Sequence, residues 1–403
     1  MNRNIDPLPN RLQILQININ KSQKAHLDLI NRALGRNWDL ILIQEPHILI
    51  QEPHITHLGH IRTPNGFTSI FLQDQLARLE NTVRSVIWVN SELSSNSWKA
   101  LNIPGNNDLT AIQLYRHNTK LSIFNIYNDC THSNTLTRLR RYMQEESPAL
   151  GIGANSYTLW CGDFNRHHPL WNDETDNQIF TNQALREAVL VGMLADEGLE
   201  MDLPKGIPTL KHMVTNSYSH PDNVWCSLEL TPFIIRCEVD SYLQPPCTDH
   251  FPIVTIVDLP QERLNPKLSY NFRMADWEAF REQLVANLEN IPLPAVIDTK
   301  EGLQQAVLNL MEMIQNTVKE SIQVSKPCPY SKRWWNGDLR KLRKELNKLS
   351  RTTMKQRAIP HHHCHGDRRK AAQEYGNAIT EAKQKHWTDY LEEASAKDLW
   401  TAN

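Results

Sequence analysis

Short apolar runs, each of strand length, recur along the first 258 residues, and segments of helical periodicity lie between them. Residues 40–43 are four consecutive apolar residues inside the predicted strand Trp38–Gln44, which is typical of a strand buried on both faces. Further strands are predicted at Leu12–Ile19, Val83–Val89, Thr110–Tyr115, Leu121–Tyr127, Tyr157–Gly162, Phe233–Val239 and Phe251–Val257, and helices at Ser133–Glu146 and Thr181–Leu194. This alternation of periods predicts an α/β fold.

The pattern changes near Pro260, and the rest of the chain has the periodicity of helices. The predicted helices are Trp277–Leu288, Lys300–Ser321, Lys332–Ser350 and Arg369–Ala394. Prolines, which cannot continue a helix, separate them. We therefore predict two domains, an α/β domain at residues 1–258 and an α-helical region at residues 259–403, with the boundary near Asp258–Asn265.

The composition of the chain indicates where in the cell the protein is located. With 403 residues, of which 40% are apolar, the chain has enough apolar side chains for a packed core. It has no run of 18 apolar residues, so we expect no membrane-spanning helix and no membrane partner. The N-terminus lacks the apolar stretch of a secretory signal, and seven cysteines at irregular spacings do not make a disulfide framework. We expect an intracellular protein.

The charge is distributed unevenly along the chain. Residues 326–403 contain 17 Lys and Arg against 9 Asp and Glu, whereas the preceding residues are acidic. The basic segment also contains Trp334 and Trp335, and basic residues beside aromatic ones suit nucleic acid. We therefore expect this region to bind nucleic acid, RNA included. A solvated helix face, with the tryptophans used for helix packing, is the alternative explanation.

Polar side chains follow the apolar strands, or precede the last one, at several points. They are Asn18, Gln44, Glu45, Tyr127, Asn128, Asp163, Asn165, Asp249 and His250. A single residue of this kind is usually a turn former or a cap. In layered α/β proteins, however, strand ends meet at one edge, where ligands bind. Such residues at the ends of five strands therefore indicate a functional site.

These residue types suit the hydrolysis of a phosphodiester bond. The reaction needs an activated water, which a carboxylate or a histidine supplies. It also needs charge neutralisation at the phosphoryl oxygens, which a carboxylate-bound Mg²⁺ or Mn²⁺ provides. Asparagine donates hydrogen bonds to phosphate oxygens without adding charge. The domain has no Cys/His pattern with the spacing of a zinc site.

Six short motifs, in this order, resemble the endonuclease/exonuclease/phosphatase superfamily. They are Gln16-Ile17-Asn18, Ile43-Gln44-Glu45, Tyr127, Gly162-Asp163-Phe164-Asn165, Ser219-His220-Pro221-Asp222 and Thr248-Asp249-His250. Gly-Asp-Phe-Asn with a late Thr-Asp-His is the most specific part, and the resemblance covers roughly residues 11–258. It implies a four-layered α/β sandwich, in which two β-sheets are flanked by helices, and a metal-dependent phosphoesterase that acts on DNA.

The resemblance also implies roles for individual residues. Glu45 would bind the metal, assisted by Asn18, and Asp249 would lie close to it. Asp163 would orient or deprotonate the attacking water, while Asn165 would hold the phosphate. The implied cofactor is Mg²⁺ or Mn²⁺.

Further implied roles concern the substrate phosphate. His250 would contact the scissile phosphate with its ring fixed by Asp222, and Tyr127 would contact the phosphate as well. Additional contacts with phosphate or DNA are implied for Asn128, Thr209 and Thr248. The chain departs from the family pattern at Cys130, where an asparagine is usual, and at Pro221, where a β-branched residue is usual.

Other features resemble non-LTR retrotransposons. Thr209 stands thirteen residues before Asp222, as in their endonucleases. The C-terminal region resembles the linker that precedes their reverse transcriptase. The resemblance is carried by Trp334-Trp335, a basic helix, His386-Trp387 and Asp398-Leu399-Trp400. We interpret the chain as the endonuclease domain and linker of such a polyprotein, with the reverse transcriptase missing. The implied location is the nucleus.

Two ambiguities remain at the level of sequence. Residues 42–48 and 49–55 are identical copies of LIQEPHI, so Glu52 is an alternative to Glu45 as the metal ligand. The superfamily also contains phosphatases, and a non-catalytic remnant that only binds nucleic acid is a third hypothesis. The retrotransposon-like linker argues against a phosphatase, and the expected residue at every core catalytic position argues against a remnant, so we favour the nuclease.

Overall fold

The computed structural model describes residues 11–33, 38–49, 60–71, 83–105, 107–150, 155–173, 184–212, 215–263, 270–272, 275–289, 297–324 and 334–393. Contacts divide the chain into two compact units, residues 1–264 with 329–403, and residues 265–328. The functional boundary predicted at residue 258 stays a prediction. Glu52, the alternative metal ligand, lies outside the described residues.

The described residues contain sixteen strands, many of them at the predicted places. They are β1 (Leu12–Asn18), β2 (Leu40–Gln44), β3 (Ile48–Leu49), β4 (His60–Ile61), β5 (Phe67–Ile70), β6 (Ser85–Asn90), β7 (Trp98–Leu101), β8 (Leu109–Arg116), β9 (Thr119–Tyr127), β10 (Ser156–Asp163), β11 (Leu199–Met201), β12 (Leu210–Lys211), β13 (Tyr218–Ser219), β14 (Asp222–Ser227), β15 (Ile234–Val239) and β16 (Ile253–Val257).

Most of these strands form two six-stranded sheets. The strand order is β15-β16-β1-β2-β6-β5 in the first sheet and β11-β14-β10-β9-β8-β7 in the second. Each sheet has one parallel pair at its centre, β1 with β2 and β9 with β10, and its other pairs are antiparallel. The carboxyl ends of each parallel pair therefore lie side by side at one edge of the sheet.

Seven helices are present among the described residues. They are α1 (Gln23–Ala33), α2 (Asn134–Leu150), α3 (Ala184–Asp196), α4 (Trp277–Glu289), α5 (Lys300–Ser321), α6 (Gly337–Lys355) and α7 (Cys364–Glu393). Helix α7 begins five residues before the predicted Arg369, because a turn after Pro360 leads directly into it. None of these helices has the length and apolar character needed to cross a bilayer.

The inner strands of the two sheets bury both of their faces, and this produces layers. Leu12 and Ile14 of β1 pack with residues of the second sheet, whereas the alternate residues Leu15 and Ile17 pack against α1. Helices α2 and α3 cover the outer face of the second sheet through residues such as Leu136 and Leu190. The predicted four-layered α/β sandwich is confirmed.

Helices α6 and α7 belong to the first unit and pack against its α/β part. One apolar cluster joins Leu27 of α1 to Trp335, Leu339, Leu346, Tyr375 and Ile379. Trp335 is buried and meets the ring of Tyr375 edge-on at 6.2 Å between centroids. Helix packing therefore accounts for this tryptophan.

Candidate active site

Four strand ends meet at one edge of the sandwich. Asn18 ends β1, Tyr127 ends β9 and Asp163 ends β10, while Glu45 directly follows β2. The Nδ2 atom of Asn18 donates a hydrogen bond of 2.9 Å to Oδ2 of Asp163, which joins the two sheets at this edge. The structure thus brings together these residues, which the sequence places far apart.

Local geometry explains the residue types of the Gly-Asp-Phe-Asn motif. A Cβ atom on Gly162 would lie 1.9 Å from the carbonyl oxygen of Ile126 on the neighbouring strand, so only glycine fits there. Phe164 is fully buried in the core. Asn165 has a left-handed backbone, with a φ of 48°, and its amide donates to Oδ1 of Asp163 at 3.0 Å. The motif therefore holds Asp163 rigidly at the strand end.

His250 lies among three carboxylates. Its Nδ1 atom is 2.8 Å from Oδ2 of Asp222. Its Nε2 atom is 3.9 Å from Oδ2 of Asp163 and 4.0 Å from Oδ1 of Asp249. Burial by itself lowers the pKa of His250, but the charges of Asp222, Asp163 and Asp249 outweigh burial and raise this pKa to about 10. The surrounding carboxylates therefore favour the protonated form of His250.

The pKa of Asp163 is raised as well, but for this carboxyl group the shift favours the uncharged form. Burial, and then the nearby charge of Asp222, raise the pKa of Asp163, although His250 and two hydrogen bonds oppose the shift. A carboxylate with raised proton affinity is a better base toward water than an exposed aspartate. The geometry can therefore place a base and an acid on either side of one small gap.

Glu45 and Tyr127 link the two sheets at a second point of the same edge. The Tyr127 hydroxyl makes a hydrogen bond with the Glu45 carboxylate. Burial, together with the charges of Glu45 and Asp163, raises the pKa of Tyr127 above its usual range. The Glu45 carboxylate is mostly buried, and Nζ of the exposed Lys21 lies 3.2 Å from its Oε1 atom.

Arg84 is a residue of this region that the sequence motifs do not indicate. Its guanidinium carbon lies 4.8 Å from the centre of the Tyr127 ring, where a cation is attracted to the ring face. It donates two hydrogen bonds to Asp108, at 2.7 and 2.8 Å, and one of 2.8 Å to Asp129. Arg84 thereby fixes the end of β9. No motif marks it, because its carboxylate partners are 24 and 45 residues away.

Asn128, Thr209 and Thr248, for which substrate contacts are predicted, are fully buried. Their side chains form hydrogen bonds with main-chain atoms of Phe164, Asp222 and Asn18, respectively, at 2.8, 3.1 and 2.8 Å. These bonds hold the segments that carry the candidate catalytic residues. The geometry gives the three side chains a positioning role, and direct contact with a substrate stays a prediction.

The carboxylates at this edge suit a divalent cation, for which hard oxygen ligands are preferred. Ligand atoms of Asp163, Asp222 and His250 lie within 4.8 Å of one another. The hydrogen bond between Asp222 and Nδ1 of His250 already uses two of these atoms, which favours Glu45 and Asp249 as the ligands. The site as a whole fits a divalent cation, and the individual ligands stay a prediction.

The fold and the site together define a class of protein. The two stacked mixed sheets are joined where their parallel strands end, and a histidine bonded to an aspartate lies at that edge. This is the arrangement that the endonuclease/exonuclease/phosphatase resemblance implies. Residues 121–254 match a family described as endonuclease-reverse transcriptase. The resemblance of this domain to the superfamily is thereby confirmed.

One curated relative is a 115 kDa protein in the type-1 retrotransposable element R1DM of Drosophila melanogaster. It is 23% identical over 245 residues, which are 57% of this chain, and the chain spans 22% of the relative's length. Among solved structures, the endonuclease domain of TRAS1, a telomere-specific non-LTR retrotransposon, is 19% identical with a TM-score of 0.47, covering 62% of this chain and 99% of that one. The AP endonuclease LMAP from Leishmania major has the same TM-score at 10% identity, covering 62% and 89%.

Proposed function

We propose that residues 11–258 are a divalent-metal-dependent endonuclease that nicks DNA by hydrolysing a phosphodiester bond. The observation that carries the proposal is the placement of His250, with Nε2 3.9 Å from Oδ2 of Asp163 and Nδ1 2.8 Å from Oδ2 of Asp222, at the sheet edge. The family description, endonuclease-reverse transcriptase, supports the reaction. The relative in a retrotransposable element supports DNA as the substrate.

In this proposal, the chain's own residues perform the acid and base steps. Asp163 accepts a proton from the attacking water, aided by its raised proton affinity. His250 donates a hydrogen bond from Nε2 to a phosphoryl oxygen, where negative charge develops. Asp222 holds the ring through Nδ1 so that Nε2 keeps this direction. Asn165 and Tyr127 bind the phosphate from the neighbouring strand ends.

The proposed cofactor is Mg²⁺, with Mn²⁺ as a substitute. Glu45 and Asp249 would hold the ion, assisted by Asn18. When bound, the ion would neutralise charge on the phosphate and stabilise the leaving oxygen. The carboxylates at this edge outnumber their nearby cations, Lys21 and His250, which supports binding of a further positive charge.

Conversion of supercoiled plasmid to the open circle tests the proposed reaction. We expect nicking with Mg²⁺ or Mn²⁺, little with Ca²⁺, whose looser coordination positions a phosphate poorly, and none in EDTA. Undiminished cleavage in EDTA would show that the reaction does not need a metal. Release of phosphate from a 3′-phosphorylated duplex without nicking would instead favour a phosphatase.

A further inference from the structure

A chain of hydrogen bonds connects helix α7 to the loop that carries His250. Arg368 of α7 donates from Nη2 to Oε1 of Gln244 at 2.5 Å. Gln244 is buried, and its Nε2 atom donates to the carbonyl oxygens of His250 at 3.0 Å and of Thr248 at 3.3 Å. These two carbonyls flank Asp249, so the side chain of Gln244 fixes the main chain on both sides of it.

The same loop is tied to the active site on its inner side. Thr248 donates from Oγ1 to the carbonyl of Asn18 at 2.8 Å, and the amide of His250 donates to the same Oγ1 atom at 3.3 Å. Cys247, just before, has a left-handed φ of 61°. The loop at residues 244–250 is therefore held between β1 on one side and α7 on the other.

The environment of Arg368 is unusual for a cation. Within the described part of the chain, no carboxylate lies at salt-bridge distance from its guanidinium, which bonds only to neutral oxygens of Gln244 and Ser350. Burial lowers the pKa of Arg368 to about 10. Arg368 is only half-buried, so part of its guanidinium keeps its hydration, and the two hydrogen bonds fix the direction of the rest.

Other contacts fix α6 and α7 in the position that brings Arg368 to Gln244. Tyr375 donates from its hydroxyl to Oδ1 of Asp28 on α1 at 2.6 Å in the buried cluster. The guanidinium of Arg351 on α6 lies 4.2 Å from the centre of the Tyr242 ring, two residues before Gln244. The helices thus form a fixed support behind the loop.

We propose that Arg368 is a positioning residue of the nuclease, which acts through Gln244 to hold the main chain at Thr248 and His250. The pair α6–α7 is then part of the catalytic unit and not a spacer that follows it. This inference rests on the proposed function for its catalytic consequence. The hydrogen bonds themselves predict a conformational consequence that does not depend on activity.

The full chain with Arg368→Met is the first test, and Arg369→Met is its matched control. Arg369 is the next residue of α7 and donates a hydrogen bond to Asn216 at an exposed position. Its replacement therefore shows how much activity is lost when α7 loses one positive charge without losing the contact with Gln244. We expect Arg368→Met to lower kcat of plasmid nicking roughly tenfold to a hundredfold below the control, with a small change in KM, because a displaced catalytic group slows the reaction without weakening binding.

Gln244→Glu separates positioning from simple helix docking. The glutamate side chain still accepts a hydrogen bond from Arg368, and the positive charge of Arg368 neutralises the new carboxylate. The substitution removes the Nε2 group that donates to the carbonyls of His250 and Thr248. We expect the same loss of kcat as in Arg368→Met. If Gln244→Glu nicks like the wild type while Arg368→Met is impaired or unfolded, Arg368 only stabilises the packing of α7 and the proposal is wrong.

Hydrogen exchange gives a readout that does not need activity. The amides of His250 and Phe251 bond to Thr248 and Thr209, so we expect them to exchange faster in Gln244→Glu and Arg368→Met than in Arg369→Met. Unchanged exchange at these amides overturns the positioning role. If the wild type does not nick at all, the proposed function fails, and exchange alone decides the inference.

Discussion

At the scale of single residues, the site depends on two titratable groups whose pKa values are both raised, a histidine that is cationic when protonated and an aspartate that is neutral when protonated. Carboxylates around His250 keep it protonated, while burial and Asp222 raise the proton affinity of Asp163. A proton donor at Nε2 and an acceptor at Oδ2 thus face each other across 3.9 Å. Contrasting environments of this kind are how active sites separate acid and base roles.

A histidine outside the site gives the fold an acid sensitivity. Nε2 of His26, a buried ring on α1, donates to the carbonyl of Arg62 at 2.7 Å. Burial lowers the pKa of His26 from 6.5 to about 4. Because the folded state disfavours the charged ring, this stabilisation is complete above pH 6.5 and is lost as the pH falls toward 4. The total loss is about 3 kcal/mol.

The variant His26→Gln, which keeps a donor for Arg62 but does not titrate, should lose this dependence. Urea unfolding between pH 4 and 6.5 measures it, with the exposed His132→Gln as the control. We expect the free energy of unfolding to fall less steeply with acid in His26→Gln than in the wild type or the control. Equal slopes in the three proteins contradict the assignment.

Residues that follow apolar strands could be predicted from the sequence, whereas the residues that support them could not. Asp163 and Glu45 stand directly after runs of strand length, and the structure brings both to one edge. The supporting residues Arg84, Gln244 and Arg368 could not be predicted, because their partners are distant in the sequence. Gln244 and Arg368, for example, are 124 positions apart. Contacts of that separation leave no local pattern in a single sequence.

At the scale of elements, the end of β2 favours the first copy of LIQEPHI as the source of the proposed metal ligand. The strand ends at Gln44, in the first copy, and Glu45 follows it at the site. Pro46 has no amide hydrogen, so β2 cannot continue through it toward Glu52.

We expect Glu45→Ala to abolish nicking and its sequence twin Glu52→Ala to retain most of it. The two substitutions occur in identical heptapeptides, so each is the control for the other. Plasmid nicking at saturating Mg²⁺ is the measurement. A dead Glu52→Ala variant would mean that the second copy supplies the ligand.

Helix α6 presents a basic stripe along one face. Its exposed members recur every three or four residues, which places them in line over about 21 Å of helix, and they are Lys341, Lys344, Lys348, Arg351 and Lys355. Lys341 pairs with Asp338 and Arg351 stacks on Tyr242, which leaves three lysines for other partners. The stripe supports the predicted binding of nucleic acid, and RNA as a ligand stays a prediction.

Replacing Lys344, Lys348 and Lys355 by glutamine should weaken binding to DNA and flatten its salt dependence. For each phosphate that the protein no longer neutralises, the slope of log K against log salt becomes shallower by roughly 0.9. The control replaces three exposed lysines elsewhere, Lys99, Lys300 and Lys319. Identical slopes for the two triple variants would show that the stripe is only a solvated face.

Strands with long apolar runs could be predicted from the sequence, whereas strands with short runs could not. The hairpin of β8 and β9 and the buried strand β2 lie where the pattern places them. Strand β14 was missed, although it is central and begins with Asp222, because only Val224–Cys226 are consecutive apolar residues within it. The short strands β11, β12 and β13 were missed as well, because two or three residues show no period.

At the scale of the whole molecule, the alternation of strand and helix predicts the α/β class but not how the strands divide between sheets. Strands buried on both faces have the same apolar pattern in one large sheet as in two stacked sheets. The four layers were therefore predicted from the family resemblance, and the structure has them. The packing of α6 and α7 on the α/β part of the first unit could not be predicted, because it depends on single contacts such as Leu27 with Trp335.

In the proposed phosphodiesterase centre at the sheet edge, His250 and Asp163 are the catalytic residues. The most direct measurement compares plasmid nicking in Mg²⁺ by the wild type, His250→Ala and Asp163→Ala, with thermal unfolding to confirm that each is folded. Loss of a catalytic acid, base or phosphate-binding group should reduce the rate by ~10²–10⁴, or roughly 3–5 kcal/mol of barrier. If either folded variant nicks DNA within about threefold of the wild type, a difference of less than 1 kcal/mol, the account of the site is wrong.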